Sequence, residues 1–286
     1  MSDVAEAPVA AQNPASNEKV ASGSSFYAGM RVLPPAERAG MYAVYGFCRV
    51  VDDIADDLEG DRAARTAELD GWRADLAALY AGRDPGRAEL VADAVHRFGL
   101  RHEDFTAVID GMQTDVDGPV RAPAFADFDL YCDRVASAVG RLSVRVFGMP
   151  DVEGVELAYS LGRALQFTNV LRDLDEDAAI GRLYMPRELL DEAGIGDADP
   201  VAVVNDPRID VAARALAARA REHYEAADLV LGLKPPGKLA APRLMSAVYG
   251  KILARMEDAG WAPPRERVRI GKRDLLWIVL RRGLLG

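Results

Sequence analysis

The stretch that decides the fold is "YGFCRVVDDIADD", Tyr45–Asp57, in which four aspartates follow an apolar run. On a helical wheel with about 100° per residue, Tyr45, Arg49, Asp52 and Asp56 fall within a stripe about 60° wide. Two carboxylates four residues apart repel each other, and in an apolar setting they need a counter-charge. Mg²⁺ provides one, because it prefers oxygen ligands and binds through one or two carboxylates together with phosphates. An acidic face turned to solvent is the alternative.

A second polar stripe, later in the chain, offers an opposite wall. It lies in "GRALQFTNVLRDLDEDAAIGRLYMP", where Gln166, Asn169, Asp173 and Asp177 fall within about 80° on the same wheel. Amides in a packed helix need partners if they are buried. Two helices that each present an aspartate pair can face each other across a cavity, hold Mg²⁺ between them and so bind a diphosphate.

Two arginines accompany the aspartates. Arg49 and Arg172 lie close to the two pairs in the sequence, and a guanidinium group matches phosphate oxygens, bidentately where the geometry permits. This combination suits the removal of diphosphate from an allylic carbon, because cations and arginines stabilise the departing charge. An apolar cavity between the helices would exclude water and protect the carbocation.

Helix signals recur along the rest of the chain, and strand signals are scarce. Apolar residues recur at helical spacing up to a closing glycine, which predicts long helices over 125–148 and 152–181. Residues 1–22 are rich in Ala, Pro, Ser and Asn, which is typical of a disordered tail. We therefore predict an all-α protein with one domain over residues 23–286.

The charge of the chain excludes one class of partner. The formal net charge is −10, and a chain this acidic is repelled by nucleic-acid phosphates, so no nucleic acid is expected. The N-terminus is not a secretory signal, and no stretch reaches the roughly 20 apolar residues that span a bilayer. The segment "KRDLLWIVLRRGLL", 272–285, suits a helix at a membrane surface, and a last helix packed on the body is the alternative. We expect a cytoplasmic protein with peripheral contact at the inner face of the membrane.

These motifs resemble those of the squalene/phytoene synthase family, the head-to-head prenyltransferases. The resemblance extends from "SSFYAGMRVLPPAERAGMYAVYGFCRVVDDIAD" to "MSAVYGKILARMEDAGW", and so covers nearly all of the chain after the tail. The two aspartate-rich motifs are "DDIAD" and "RDLDED", and the interior tyrosine of the family is Tyr131, in "YCDRVASAVG". The resemblance implies an isoprenoid synthase fold, with helices around a central hydrophobic cavity and the aspartates at one mouth.

By matching position, the resemblance also implies roles for individual residues. The ligands of two or three Mg²⁺ ions would be Asp52, Asp56, Asn169, Asp173 and Asp177. Contacts to the diphosphate or the prenyl chain would come from Ser25, Tyr45, Arg49, Gln166, Asn169, Arg172 and Tyr249. The catalytic residues would be the four aspartates together with Tyr131. For Tyr249, ordinary core packing is the alternative.

Within the family, two segments most resemble the bacterial members that form presqualene diphosphate for hopanoid biosynthesis. Their sequences are "LYCDRVASAVGRLSVRVFG" and "LRDLDEDAAIGRLYMPRELL". This implies that two farnesyl diphosphates combine without NADPH, that either Tyr131 or the released diphosphate takes the proton, and that the product passes to downstream squalene-forming enzymes. Squalene, dehydrosqualene or phytoene synthesis on the same fold is the alternative. A non-enzymatic assembly factor or acidic scaffold is a third hypothesis, and the intact aspartate pairs disfavour it.

Overall fold

The computed structural model describes residues 29–57, 61–196, 199–271 and Asp274. In these ranges the chain is almost entirely helical, and the only extended pairing is an isolated β-bridge between Arg121 and Leu183. The α-helices are, in chain order, α1 Pro35–Asp56, α2 Arg62–Tyr80, α3 Glu89–Phe98, α4 His102–Asp117, α5 Phe125–Cys132, α6 Ala138–Val146, α7 Asp151–Arg172, α8 Leu174–Ala179, α9 Arg187–Glu192, α10 Pro200–Val204, α11 Ile209–Gly232 and α12 Ala240–Ala259. The prediction of an all-α fold is confirmed.

Helix α1 is positioned by its apolar face. Pro35 occupies its first turn, where proline is tolerated because the missing N–H has no intrahelical acceptor there. Phe47 is fully buried and meets Trp72 of α2 and Phe105 of α4 edge-on, with ring centroids 5.5 and 5.0 Å apart. Such aromatic pairs add about 0.5–1.5 kcal/mol beyond the burial of their area. This contact fixes α1 against α2 and α4.

Helix α7 lies at the centre of the molecule. It packs against α11 on one side and against α6 and α12 on others. Small residues permit the closest approach, since a Cβ on Gly162 would lie only 2.7 Å from the Cα of Ser137. Such a central helix must be apolar over most of its surface, and most of its residues are buried.

Two of the helices expected to be continuous are interrupted, so that part of the prediction is wrong. The segment over 125–148 contains one π-helical turn, Asp133–Ser137, between α5 and α6. The segment over 152–181 breaks at Asp173, whose φ of −105° and ψ of 18° separate α7 from α8. Neither break follows a proline or a glycine, which are the usual sequence signals for one.

Several sequence-based expectations lie outside the described residues. They concern Ser25, the N-terminal tail and, except for Asp274, the basic and apolar segment over 272–285. Among the residues that are described, no helix is both long and apolar enough to cross a membrane.

Candidate active site

An apolar channel runs between α1, α4, α6, α7 and α12. Its volume is about 270 Å³. Valine, leucine, methionine and small residues form most of its wall. A cavity of this kind suits an extended hydrocarbon chain, because burying apolar surface provides binding free energy of about 25 cal/mol per Å².

One end of the channel is polar. Tyr45, Arg49 and Asp52 line it from α1, and Gln166 and Asn169 line it from α7. The structure therefore brings these five residues of the two stripes together, whereas Asp56, Asp173 and Asp177 do not line the channel. We call this end the mouth of the channel.

An arginine holds the first aspartate group at the mouth. Arg49 donates from Nη1 to Asp52 Oδ2 at 2.7 Å and from Nη2 to Asp53 Oδ1 at 2.5 Å. Partial burial, and the nearby negative charge of Asp56, raise the pKa of Asp52 to about 6, although Arg49 opposes the shift. Only Asp52 of these three carboxylates lines the channel, which agrees with its central place in the stripe.

The second aspartate group is held from two directions. Arg172 binds Asp173 through two of its guanidinium nitrogens, Nε to Oδ1 at 2.8 Å and Nη2 to Oδ2 at 2.6 Å. Arg267, from the segment after α12, donates to the same Oδ1 at 2.8 Å and contacts Glu176 at 3.0 Å. Tyr249 lies close to Arg172, whose positive charge opposes the rise that burial causes in the pKa of the Tyr249 hydroxyl.

Asp177 lies close to the Arg172–Asp173 ion pair. Among the described residues, no arginine binds Asp177 through two nitrogens as Arg172 binds Asp173. The backbone N–H of Asp177 bonds to the Asp173 carbonyl at 2.9 Å, so the two remain neighbours across the helix break. Burial and the negative charge of Asp173 raise the pKa of Asp177 to about 7, against the influence of Arg182. Extra positive charge near Asp177 would therefore be stabilising.

A buried carboxylate that the sequence analysis missed, Asp115 of α4, connects the two aspartate groups. Asp115 is 9 % exposed and accepts hydrogen bonds from Tyr184 at 2.7 Å and from Tyr131 at 3.0 Å. The two tyrosine rings stack with centroids 5.1 Å apart. Burial is the main cause of the raised pKa of Asp115 and the charge of Asp56 adds to it, whereas the hydrogen bonds from both tyrosines and the charge of Arg182 lower it.

Arg182 completes this cluster. Its Nη1 donates to Asp56 at 2.9 Å, and its charge also acts on Asp115 and Asp177. Arg182 is only 9 % exposed, although it is an arginine. Its charge neutralises carboxylates on three helices, namely Asp56 of α1, Asp115 of α4 and Asp177 of α8. Asp56 is thus turned towards Arg182 and does not line the channel, although it shares a stripe with Asp52.

Four residues of the site were absent from the sequence-based set: Asp115, Arg182, Tyr184 and Arg267. A signal existed for Asp115, because it stands three residues after Met112 and one before Val116 on a face of α4 that is otherwise buried. An ionisable residue on an apolar helical face requires a partner. No local pattern marks Arg267, which reaches Asp173 across 94 residues of sequence.

The donor set fits magnesium. Every candidate ligand offers oxygen, and the buried Oδ1 of Asn169 has no hydrogen-bond partner although its Nδ2 meets Gln166. In the described part of the chain, no three His, Cys, Asp or Glu side chains converge on one point. Oxygen donors are the ligands that Mg²⁺ prefers, and it takes one or two protein carboxylates and completes its shell with water and phosphate oxygens.

In the described residues, a helical fold around an apolar channel with Arg49 and Asp52 at its polar end is the arrangement expected of a prenyltransferase. Comparison with known proteins makes the assignment specific. The model of the squalene/phytoene synthase family matches residues 20–274. The chain belongs to the squalene/phytoene synthase family.

Individual relatives agree with this assignment. A presqualene diphosphate synthase of Zymomonas mobilis is 58 % identical over 261 residues, covering 91 % of this chain and 89 % of the relative. A phytoene synthase of Mycobacterium tuberculosis is 35 % identical over 238 residues, covering 80 % and 76 %. The crystal structure of squalene synthase HpnC from Alicyclobacillus acidocaldarius has a TM-score of 0.76 at 27 % identity, covering 87 % of this chain and 96 % of that one. The predicted family, isoprenoid synthase fold and enzyme class are confirmed.

Proposed function

We propose that this protein condenses two farnesyl diphosphates head to head into presqualene diphosphate, with release of one diphosphate. The observation that carries the proposal is an apolar channel with Arg49 and Asp52 at its polar end and the Arg172–Asp173 pair just beyond Asn169, at the end of α7. The identity of 58 % to a relative named presqualene diphosphate synthase, against 35 % to one named phytoene synthase, supports this product.

The proposed reaction begins with the loss of one diphosphate. Its C1–O bond breaks, and C1 bonds to the double bond of the second substrate. A proton is lost, the cyclopropane ring closes, and the product keeps the second diphosphate. Arg49 at the mouth, and Arg172 three residues beyond the channel-lining Asn169, would bind the departing oxygens, while the apolar wall excludes water from the cation.

Magnesium would be held by Asp52, Asp56, Asp173 and Asp177, with Asn169 offering its free amide oxygen. The bound metal supplies positive charge that stabilises the leaving diphosphate. The number of ions, two or three, follows from the family resemblance.

Tyr131 is our candidate for the proton acceptor. Its hydroxyl already donates to Asp115. Tyr131 does not itself line the channel, but it lies about one helical turn before Val135 and Ala136, which do. As Tyr131 takes a proton from the substrate, its own proton would pass to Asp115. The raised pKa of Asp115 makes that carboxylate the better acceptor. The released diphosphate is the alternative acceptor.

The test is an assay of the purified protein with farnesyl diphosphate and Mg²⁺, with the lipid product identified by mass spectrometry. We expect presqualene diphosphate with or without NADPH. Asp52→Asn and Asp173→Asn should each lower kcat at least about a hundredfold. Asp53→Asn is the matched control, since Asp53 is 63 % exposed, against 20 % for Asp173, and is not a candidate metal ligand. Near-normal turnover in both site variants, or squalene as the NADPH-dependent product, would contradict the proposal.

A further inference from the structure

Helix α7 carries one buried arginine that lies outside the channel. Arg163 directly follows Gly162, which lines the channel, but Arg163 does not line it and is only 4 % exposed. A buried charge is very costly unless it is paired. The partners of Arg163 therefore show which part of the fold it stabilises.

The hydrogen bonds of Arg163 reach the segment that carries Tyr131. Its Nε and Nη2 donate to the two carboxylate oxygens of Asp129 on α5, at 2.7 and 2.9 Å. Its Nη1 donates to Asp133 Oδ1 at 3.2 Å and to Ser137 Oγ at 3.0 Å. Asp133 and Ser137 are the first and last residues of the π-helical turn, so Arg163 fixes both ends of that turn to α7.

A second arginine holds the same turn against α4. Arg141 of α6 donates from Nη1 to Asp133 Oδ1 at 3.1 Å and from Nε to Asp104 Oδ1 at 2.5 Å. The Asp104 side chain is 4 % exposed and belongs to α4, the helix that also carries Asp115. The turn is thus connected by ion pairs to α7 and to the helix of the buried carboxylate.

The π-helical turn sets the direction in which α5 presents its side chains. The backbone N–H of Ala138 bonds to the carbonyl of Asp133, five residues earlier, which is the bond that defines a π-helix. The turn takes up one residue more than an α-helical turn, so it rotates α5 by about 100° relative to a continuous α-helix. Loss of this turn would therefore move the side chains of α5, Tyr131 among them, to another side of the helix.

Tyr131 lies on the face of α5 opposite to these ion pairs. Asp129 and Asp133 stand two residues before and two residues after it, which is about 200° around the helix. On its own face the Tyr131 ring stacks on Tyr184, and its hydroxyl donates to Asp115 at 3.0 Å. The arginines therefore hold the back of the segment whose front presents Tyr131.

We infer that Arg163 is a positioning residue for Tyr131, because it fixes the π-helical turn that directs the Tyr131 hydroxyl at Asp115. The inference rests on the proposed function, in which Tyr131 takes the substrate proton as its own proton passes to Asp115. It goes beyond that function in assigning the alignment of this step to ion pairs on the opposite face of α5. Arg163 itself neither gives up nor accepts a proton.

The first experiment measures the surroundings of Tyr131 directly. A fluorotyrosine is incorporated at this position, and its fluorine NMR resonance is recorded without substrate in the wild type, Arg163→Met and Arg163→Lys. Lysine keeps the charge but cannot bind Asp129 through two nitrogens, so Arg163→Lys is the milder variant if Arg163→Met does not fold. Arg145→Met is the matched control, because Arg145 is 19 % exposed, pairs with Asp151 and lies more than three helical turns beyond Tyr131.

The second experiment is a double-mutant cycle in kcat with farnesyl diphosphate and Mg²⁺. Arg163→Met should lower kcat at least about tenfold with KM little changed, since a misplacement of about 1 Å can cost about a hundredfold. In the Tyr131→Phe background the same substitution should change kcat less than about twofold, because the hydroxyl that it misplaces is absent. A purely structural role would give the same loss in both backgrounds.

We expect the fluorine resonance to shift in both Arg163 variants and to stay in place in Arg145→Met, whose kcat should also be unchanged. An unshifted resonance in folded Arg163 variants, or equal losses of kcat in the two backgrounds, would overturn the inference. A shifted resonance in a protein whose wild type does not turn over farnesyl diphosphate would contradict the proposed function alone.

Discussion

Replacing Gly162 by alanine tests whether the π-helical turn is wedged against α7. An added Cβ would lie 2.7 Å from Cα and 2.8 Å from N of Ser137, and ordinary contacts begin at 3.4 Å. The backbone of the turn must therefore move by about 0.7 Å. Overpacking costs about 1–3 kcal/mol, and because backbone atoms resist on both sides we take about 3 kcal/mol. Alanine gains about 1 kcal/mol in helix propensity, which leaves a net loss of about 2 kcal/mol.

The control for this prediction is Gly250→Ala. Gly250 also lies inside a long helix, α12, and its added Cβ would meet nothing within 4 Å. That variant should gain about 1 kcal/mol, so the two melting temperatures should differ by about 6–12 °C. Turnover of Gly162→Ala should fall more than tenfold, because the displaced turn carries part of the channel wall. Equal stability of the two variants would refute the reasoning.

Three further predictions concern ionisable groups. The folded pKa of Asp177, about 7, lies above its ordinary value of 3.8, so ionisation of Asp177 destabilises the fold increasingly as pH rises between these values. In EDTA, the stability gained by Asp177→Asn should therefore grow over that pH range and stay level above it. Denaturant titrations that show the same gain at every pH would contradict this. Tyr131→Phe and Asp115→Asn should each lower kcat about 10²–10⁴-fold with KM little changed, and normal turnover in steady-state assays would favour the diphosphate as proton acceptor. Arg163→Met should destabilise the fold by about 1.5–3 kcal/mol, because Arg163 is 4 % exposed while its partner Asp129 is 35 % exposed and keeps access to water. A loss below about 1 kcal/mol in urea unfolding would show that the pair is dispensable.

The sequence predicted the features of the site that depend on one helix at a time. The periodicity of α1 predicted that Tyr45, Arg49 and Asp52 share a face, and all three line the channel. The same argument for α7 succeeded for Gln166 and Asn169. Helical spacing is a local property, and burial against neighbouring helices only reinforces it.

The sequence failed where tertiary contacts decide the outcome. The break at Asp173 has no local signal, and two arginines hold this residue, one of them from the far end of the described chain. Asp56 shares the α1 stripe with Asp52, yet Arg182 draws its carboxylate away from the channel. Such pairings depend on which side chains the fold places together, and one sequence carries no direct record of that.

The isolated β-bridge has a consequence for how enzymes of this shape can diversify. Leu183 donates to the Val120 carbonyl at 2.7 Å and accepts from Ala122 at 2.8 Å, which ties the ends of α4 and α8 together directly. The polar end is thus cross-braced by main-chain bonds, which do not depend on the chemistry of a side chain. Substitutions deep in the hydrocarbon channel can then accumulate without disturbing the groups that hold the headgroup. The length of the bound hydrocarbon chain and the chemistry at the diphosphate can therefore change independently of each other.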